Sequence, residues 1–415
     1  MYELEIGMEN PSRKKYRMHT AVLLFVAMSF FPALQAAPSF NEAVQAALQI
    51  HPKAKVHTAL RQVGEGYQQQ ADALFGGDPV AGLAYRSDDV GSNRGYREWE
   101  ANLDMPLWLP SQRGVRRNLG GSIISRASAE FSLLSWEVAG QVLERAWALR
   151  LAESDLKQAR SQWNSAKALE IDIERRVSAG ELARSDLVLA QQEALAREGS
   201  YQHAVAAVER ERSSWRAYTT FNELPDDLMA KQSPGTELSP SHPRLVAAKL
   251  AIEQARAQRD DVKLKRRDNP VLTLYAKRDR GIGRDPYGNS LGVGISVPFG
   301  THASAAPGIA EAELALTEAQ ANWAQVAWAL ELELEQAQQA VMRAAKNLTL
   351  AEQGSRLAQT RIRLARRAFE LGEADLYLLL LAREQSATAT RELEFYRLER
   401  MHAIAQLNHI RGEDL

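Results

Sequence analysis

A mixed but mainly α chain with four β-strands per copy is predicted by three observations: an internal repeat, four short segments of strict apolar–polar alternation, and two long proline-free stretches of helix formers. The repeat shows first in the prolines. His51-Pro52 is followed by Pro79-Val80, and His242-Pro243 is followed at the same offset by Pro270-Val271. The register continues with Leu83 matching Leu274 and Asp88 matching Asp279, and Met105-Pro106-Leu107 returns as Val297-Pro298-Phe299 after a slip of one residue. Each half is therefore expected to hold a helix, a strand pair and a long helical stretch: residues 37–224, then a proline-bearing linker 225–241, then residues 242–415. Units this long are not the roughly 20–50-residue repeats of a solenoid.

The strands come next. From Glu98 to Met105 the residues alternate, with Trp99, Ala101, Leu103 and Met105 on one face and Glu98, Glu100, Asn102 and Asp104 on the other. Period two is the signature of a strand with one oily and one wet side. In the second half Leu291, Val293, Ile295 and Val297 alternate with Ser290, Gly292, Gly294 and Ser296. A weaker strand precedes each of these, within pairs 80–107 and 271–299, and the Gly/Asn/Asp-rich connections 87–96 and 279–289 read as hairpin loops. Such strands fit half of a soluble sandwich, or the wall of an outer-membrane barrel, whose strands run about 9–11 residues. Four strands cannot close a barrel, because the smallest have about eight, so several chains would have to contribute. On that reading Trp99, Leu103, Leu291, Val293 and Ile295 face lipid, and Glu98, Glu100, Asn102 and Asp104 face a water-filled lumen, to which Gly292 and Gly294 contribute width.

Between Pro110 and Pro225, and again from Pro307 onward, proline is absent and Ala, Leu, Glu, Gln and Arg dominate. Residues 310–371 place Leu316, Trp323, Val326, Leu330, Leu334 and Val341 at three- and four-residue steps, an amphipathic pattern with coiled-coil character. Each stretch is interrupted once, at Gly180-Glu181 and at Gly372-Glu373, where glycine suits a left-handed helix cap before the chain turns back. Two antiparallel helical hairpins with glycine tips are expected.

The remaining features bound the class. Fifty-one basic and fifty-two acidic residues leave a net charge of −1, so no basic stripe marks a nucleic-acid partner. Arg13, Lys14, Lys15 and Arg17 precede an apolar run 21–34 that ends in Gln35-Ala36-Ala37, the pattern of a secretory signal over residues 1–36. The run is short of the ~20 apolar residues that span a bilayer. With no cysteine there is no disulfide, thiolate metal site or acylated lipoprotein cysteine. An exported chain of this kind is periplasmic, secreted, or in the outer membrane as strands.

Taken together, signal, duplicated halves, strand pairs and glycine-tipped hairpins, the chain resembles the TolC family of outer-membrane efflux proteins over nearly all of its mature length, from about Phe40 to Ile410. The resemblance implies a homotrimer in which three chains share one barrel in outer-membrane lipid, continuous with a helical tunnel through the periplasm. It also implies a periplasmic adaptor protein and an inner-membrane, RND-type pump as partners. Adaptor docking would fall on Gly180, Glu181, Leu182, Gly372 and Glu373. A periplasmic entrance gate would fall on Asp375, with Asp186 its first-half counterpart; Leu378 stands where some members carry a second aspartate. The wording MPLWLPSQRG from Met105 is similar to the CzcC-type heavy-metal branch, which implies metal cations as cargo.

Other functions find less to hold. No metalloprotease run, nucleophile elbow or phosphate loop is present, and the glycines of 281–294 open no helix, so no catalytic residue and no cofactor is expected. His402 and His409 can share a helix face, where packing is expected over metal binding. A periplasmic adaptor is the alternative, but it would carry one hairpin flanked by compact β-domains.

Overall fold

The computed structural model describes residues 38–413 apart from 229–234, 236, 266, 267, 284, 300 and 301. The expected signal, 1–36, and part of the linker, 225–241, lie outside the described residues. In chain order the elements are α1 (Phe40–Ile50), α2 (Val56–Asp72), β1 (Val80–Ser87), β2 (Arg97–Pro106), α3 (Gln112–Ser178), α4 (Arg184–Thr219), α5 (Pro243–Leu264), β3 (Val271–Arg280), β4 (Gly288–Ser296), α6 (His302–Glu370) and α7 (Leu376–Ile410). The four strands form one antiparallel sheet in the order β1-β2-β3-β4.

Two helices dominate. At ~1.5 Å per residue, the 67 residues of α3 and the 69 of α6 make rods of about 100 Å. Their antiparallel partners are only 36 and 35 residues long, so α4 and α7 cover the tip-side half of each rod. The sequence reading of one long hairpin per half thus becomes a long arm and a short arm. The sheet-side half of α3 packs against α2 and α5, and that of α6 against α5. Helix α6 starts ahead of Pro307 and carries it as its sixth residue, where proline has no N–H to offer the preceding turn. Of the apolar residues picked out on α6, Leu316, Leu330 and Val341 are buried and Trp323 is exposed.

The main core lies between α1 and the middle of the rods. Helix α1 opens with a capping box, Ser39 Oγ accepting from Glu42 N while Ser39 N donates to the Glu42 carboxylate. Its buried residues, Phe40, Ala43, Val44, Ala47 and Leu48, follow helical spacing and pack on Val138, Val142, Trp147 and Trp215. The repeated His-Pro has a local cause. Each histidine is an N-cap whose side chain accepts from the N–H two residues on, His51 from Lys53 at the 3-10 turn Pro52–Lys55 that leads into α2, and His242 from Arg244 at α5, and each proline takes the first helical position, where an N–H is not needed.

Two packing features have no sequence signature. Gly64 of α2 and Gly120 of α3 bring their backbones together: a Cβ on either would fall within 2.7 Å of the other's carbonyl oxygen. Asp261 of α5 is buried, with Arg116 of α3 at 3.1 Å and Lys265 at 2.8 Å, an ion triad that locks α5 to α3. Removing one partner of such a buried group costs about 3–5 kcal/mol because the other charge is left without compensation.

Near the C-terminus the His409 ring stacks on Trp136 with centroids 4.4 Å apart, and Trp136 meets His242 edge-on. Burial, followed by the neighbouring His242, pushes the His409 imidazole from 6.5 down to about 4. His242 is also pushed down, chiefly by burial. An imidazole kept neutral in the fold contributes stability that is fully present above the unfolded value near 6.5 and is lost as pH falls toward the folded value of about 4. Urea unfolding followed by tryptophan fluorescence should therefore weaken between pH 6.5 and 4, by an upper limit of roughly 3 kcal/mol for His409. His409→Gln should flatten that dependence, and an unchanged slope would remove His409 as its source.

Candidate functional site

The register of the sheet gathers the alternating residues into two continuous faces. On one, Tyr85, Trp99 and Arg278 form a row; Leu83, Ala101, Ala276 and Leu291 the next; Ala81, Leu103, Leu274 and Val293 the next; and Met105, Leu272 and Ile295 the last. Most of this face is uncovered, with Leu291 at 87% and Val293 at 71% exposure. Within the chain, β1 and β4 each have an unpaired outer edge. An oily face of this width beside two open edges is not a finished soluble surface.

The opposite face is polar and cross-linked. Asp104 accepts from Asn102 at 2.9 Å and from Thr273 at 2.5 Å. Arg86 pairs with Glu98 and with Glu100, the latter at 3.2 Å. Glu98 departs from the expectation of a water-facing carboxylate. It is only 3% exposed, because Arg86, Lys277 at 2.6 Å and the Tyr96 hydroxyl close over it. Gly292 also differs from the simple picture of a small-residue stripe that widens a lumen. The Tyr275 ring lies over it, so that a Cβ there would stand 2.1 Å from the ring. Gly82 does the same for the Asn102 side chain. Gly82 and Gly292 are slots for larger neighbours, while Gly294 has open space, with only Thr273 at 4.0 Å.

At the far end of the rods the two hairpin turns repeat one construction. Gly180 has φ +80° and Gly372 φ +73°. Gly180 N donates to Val177 O and Glu181 N to Arg176 O, and likewise Gly372 N to Phe369 O and Glu373 N to Ala368 O. Both are complete Schellman caps, in which the left-handed residue lets the last free carbonyls find partners. A Cβ at either glycine would meet nothing within 4 Å, so the backbone angle, not space, calls for glycine. The two tips lie together over one apolar cluster of Leu169, Ile173, Ala190, Phe369, Leu376 and Leu379, with Leu182 and Leu187 at its margin. Leu182 is thus half-buried in that cluster, while Gly180, Glu181, Gly372 and Glu373 are exposed.

The two aspartates have different local roles. Asp375 is the N-cap of α7, its carboxylate accepting from Leu378 N at 2.9 Å. Asp186 is half-buried in the first turn of α4, whose cap position is Ala183 and has no side-chain bond. His402 pairs with Glu144 at 3.1 Å and His409 stacks on Trp136. Among the described residues there is no cluster of three or more His, Cys, Asp or Glu fit to hold a metal, and no helix is long and apolar enough to cross a membrane.

Sequence reasoning missed one further surface. Leu350, Leu357 and Leu364 are exposed on α6 at seven-residue spacing, and Leu371, the first residue past its end, continues the step. One leucine per heptad is a narrow apolar stripe, which covers one of the two seam positions of a coiled coil. The heptad count could have found it.

No protein-family model matches the chain, and no curated protein sequence matches it. Solved structures do match. The outer membrane protein VceC from Vibrio cholerae superposes with a TM-score of 0.70 at 16% identity, covering 90% of this chain and 96% of that one. The CmeC outer membrane channel of Campylobacter jejuni gives 0.69 at 14% identity, over 90% of this chain and 85% of that one. The open state of the Neisseria gonorrhoeae MtrE outer membrane channel gives 0.69 at 15% identity, over 91% and 89%. The fold of this chain is therefore that of outer-membrane channels, over nearly its whole described length.

The cap role of Asp375 separates structure from charge. Asp375→Ala should lower stability by about 1 kcal/mol, the usual cost of losing an N-cap, whereas Asp375→Asn keeps a capping oxygen and should cost a few tenths at most. Thermal unfolding of the two variants checks this. Equal losses would mean that the carboxylate charge, and not the cap, is what α7 uses.

Proposed function

We propose that this chain is the outer-membrane channel of a tripartite efflux system, a homotrimer that carries cargo from a periplasmic adaptor and an inner-membrane, RND-type pump to the exterior. The observation that carries this reading is the sheet: four strands, one oily face and two open edges, set on a helical bundle of channel fold. Trp99, Leu103, Leu291, Val293 and Ile295 would face lipid. Glu100, Asn102 and Asp104, with the covered Glu98, would line the lumen. Closing the edges of one copy on those of the next satisfies the β1 and β4 backbone and removes the oily face from water in one step. The exposed leucine stripe of α6, Leu350, Leu357 and Leu364, would offer a second contact between copies along the tunnel. The signal pattern of residues 1–36 supports export to that membrane, and the like order of elements in residues 37–224 and 242–415 supports a duplicated origin.

The glycine tips would meet the adaptor, since their exposed Schellman turns leave a shallow surface at the free end of the rods. Asp375 and Asp186 stand at the same end and would form the entrance. The MPLWLPSQRG wording supports heavy-metal cations as cargo; that role asks for passage and not for a tight metal site. The adaptor alternative is disfavoured by two hairpins and by the channel fold itself.

Cross-linking of detergent-solubilised protein from the outer-membrane fraction should give a three-chain species. Gly180→Arg and Gly372→Arg should leave that species intact, because a side chain at a left-handed position costs only about 1–2 kcal/mol, while export and adaptor cross-linking should be lost. A detergent-free soluble monomer would end the channel reading. Full export by both variants would reduce the tips to turns and move the docking site elsewhere.

A further inference from the structure

The oily face of the sheet is bounded at both ends by aromatic rings. Phe299, largely exposed, lies just past the helix-side end of β4, and Tyr85 and Trp99, with rings 4.4 Å apart, close the hairpin-loop side. Beyond Trp99 the same face turns cationic. Arg278 is the cross-strand neighbour of Trp99, and Arg97 that of Arg280. Arg278 and Arg280 both hold their guanidinium groups against the Tyr287 ring, at 4.8 and 5.3 Å from its centroid.

Like charges set opposite each other across strands are destabilising unless an anion joins them. Arg97 has Asp89 at 3.8 Å, but among the described residues neither Arg278 nor Arg280 has a carboxylate partner. We infer that this rim binds the phosphate groups of anionic lipid headgroups in the leaflet at the hairpin-loop end, with Trp99 and Tyr85 seated at the acyl boundary. The inference rests on the channel reading, which turns this face to lipid. The source is a lipid and not a free phosphate because the guanidinium groups continue directly from the apolar band, so one amphiphile can fill both parts. Arginine suits the task, since its planar fork pairs with phosphate oxygens two at a time.

The test uses purified full-length protein in neutral maltoside micelles. The probes are lipid A carrying its phosphates, the same lipid dephosphorylated, and inorganic phosphate, with retained lipid read by native mass spectrometry and flotation on phosphatidylcholine vesicles run beside it. The dephosphorylated lipid should bind about tenfold or more weakly than the phosphorylated one. The double variant Arg278→Gln/Arg280→Gln should bring the phosphorylated lipid down to that level without changing flotation. Equal retention of the two lipids by the unmodified protein would overturn the inference whether or not the variant folds. Inorganic phosphate bound as tightly as the lipid would also overturn it, as an ion site with no membrane role. Protein that floats but does not discriminate removes this inference alone, whereas protein that floats with no vesicle removes the channel reading and this inference together.

Discussion

A sheet with one largely oily face and two open edges sets the terms for everything else in this molecule. Its backbone donors and acceptors at β1 and β4 must be met, and the side chains from Leu83 to Ile295 must leave water. A membrane removes the second problem only if the first is solved, because unpaired backbone in hydrocarbon costs several kcal/mol per group. On the proposed channel reading, neighbouring copies would solve both. The polar side of the sheet is already self-sufficient, with Glu98 enclosed by Arg86, Lys277 and Tyr96, and with Gly82 and Gly292 leaving room for Asn102 and Tyr275.

The helices answer to the same geometry. Rods of this length need partners along their full extent, and the chain divides that task, α4 and α7 covering the tip-side halves while α2 and α5 cover the sheet-side halves. Close backbone approach at Gly64 and Gly120, and the Asp261 ion triad, tie the sheet-side set together. The tips are held by a shared apolar cluster and two Schellman caps, and the turn glycines stay exposed. Exposed turns held in this way suit docking.

The strands and rods were legible in the sequence because their signals are periodic: Trp99, Ala101, Leu103 and Met105 share a face by simple alternation, and α3 and α6 run without interruption to their tip glycines. The His-Pro pairs were visible as a repeat, but their capping role depends on side-chain direction. Three features were hidden for a common reason: each depends on which residue lies opposite. The covering of Glu98, the Tyr275 ring over Gly292 and the contact of Gly64 with Gly120 all depend on strand register or helix pairing, which the periodic pattern of one segment does not specify. Asp375 carried a motif-like signal toward an entrance, and its hydrogen bond to Leu378 N supplies a purely local reason for an aspartate there. The off-centre glycines already imply unequal hairpin arms, but nothing in a continuous helical pattern says that α2 and α5 cover the rest of each rod.

The measurement that bears most directly on the central claim is assembly of Val293→Arg beside Gly294→Arg, read as the fraction of protein recovered as a three-chain species in the outer-membrane fraction. Val293 lies mid-strand on the oily face, and Gly294, its neighbour, on the polar face with only Thr273 nearby, at 4.0 Å. Arginine at Val293 should cost about 2–4 kcal/mol at mid-bilayer and deplete the assembled species, while Gly294→Arg should assemble as the unmodified chain does. Normal assembly of Val293→Arg together with failure of Gly294→Arg would mean that the oily face does not meet lipid, and the channel architecture drawn from it would be wrong.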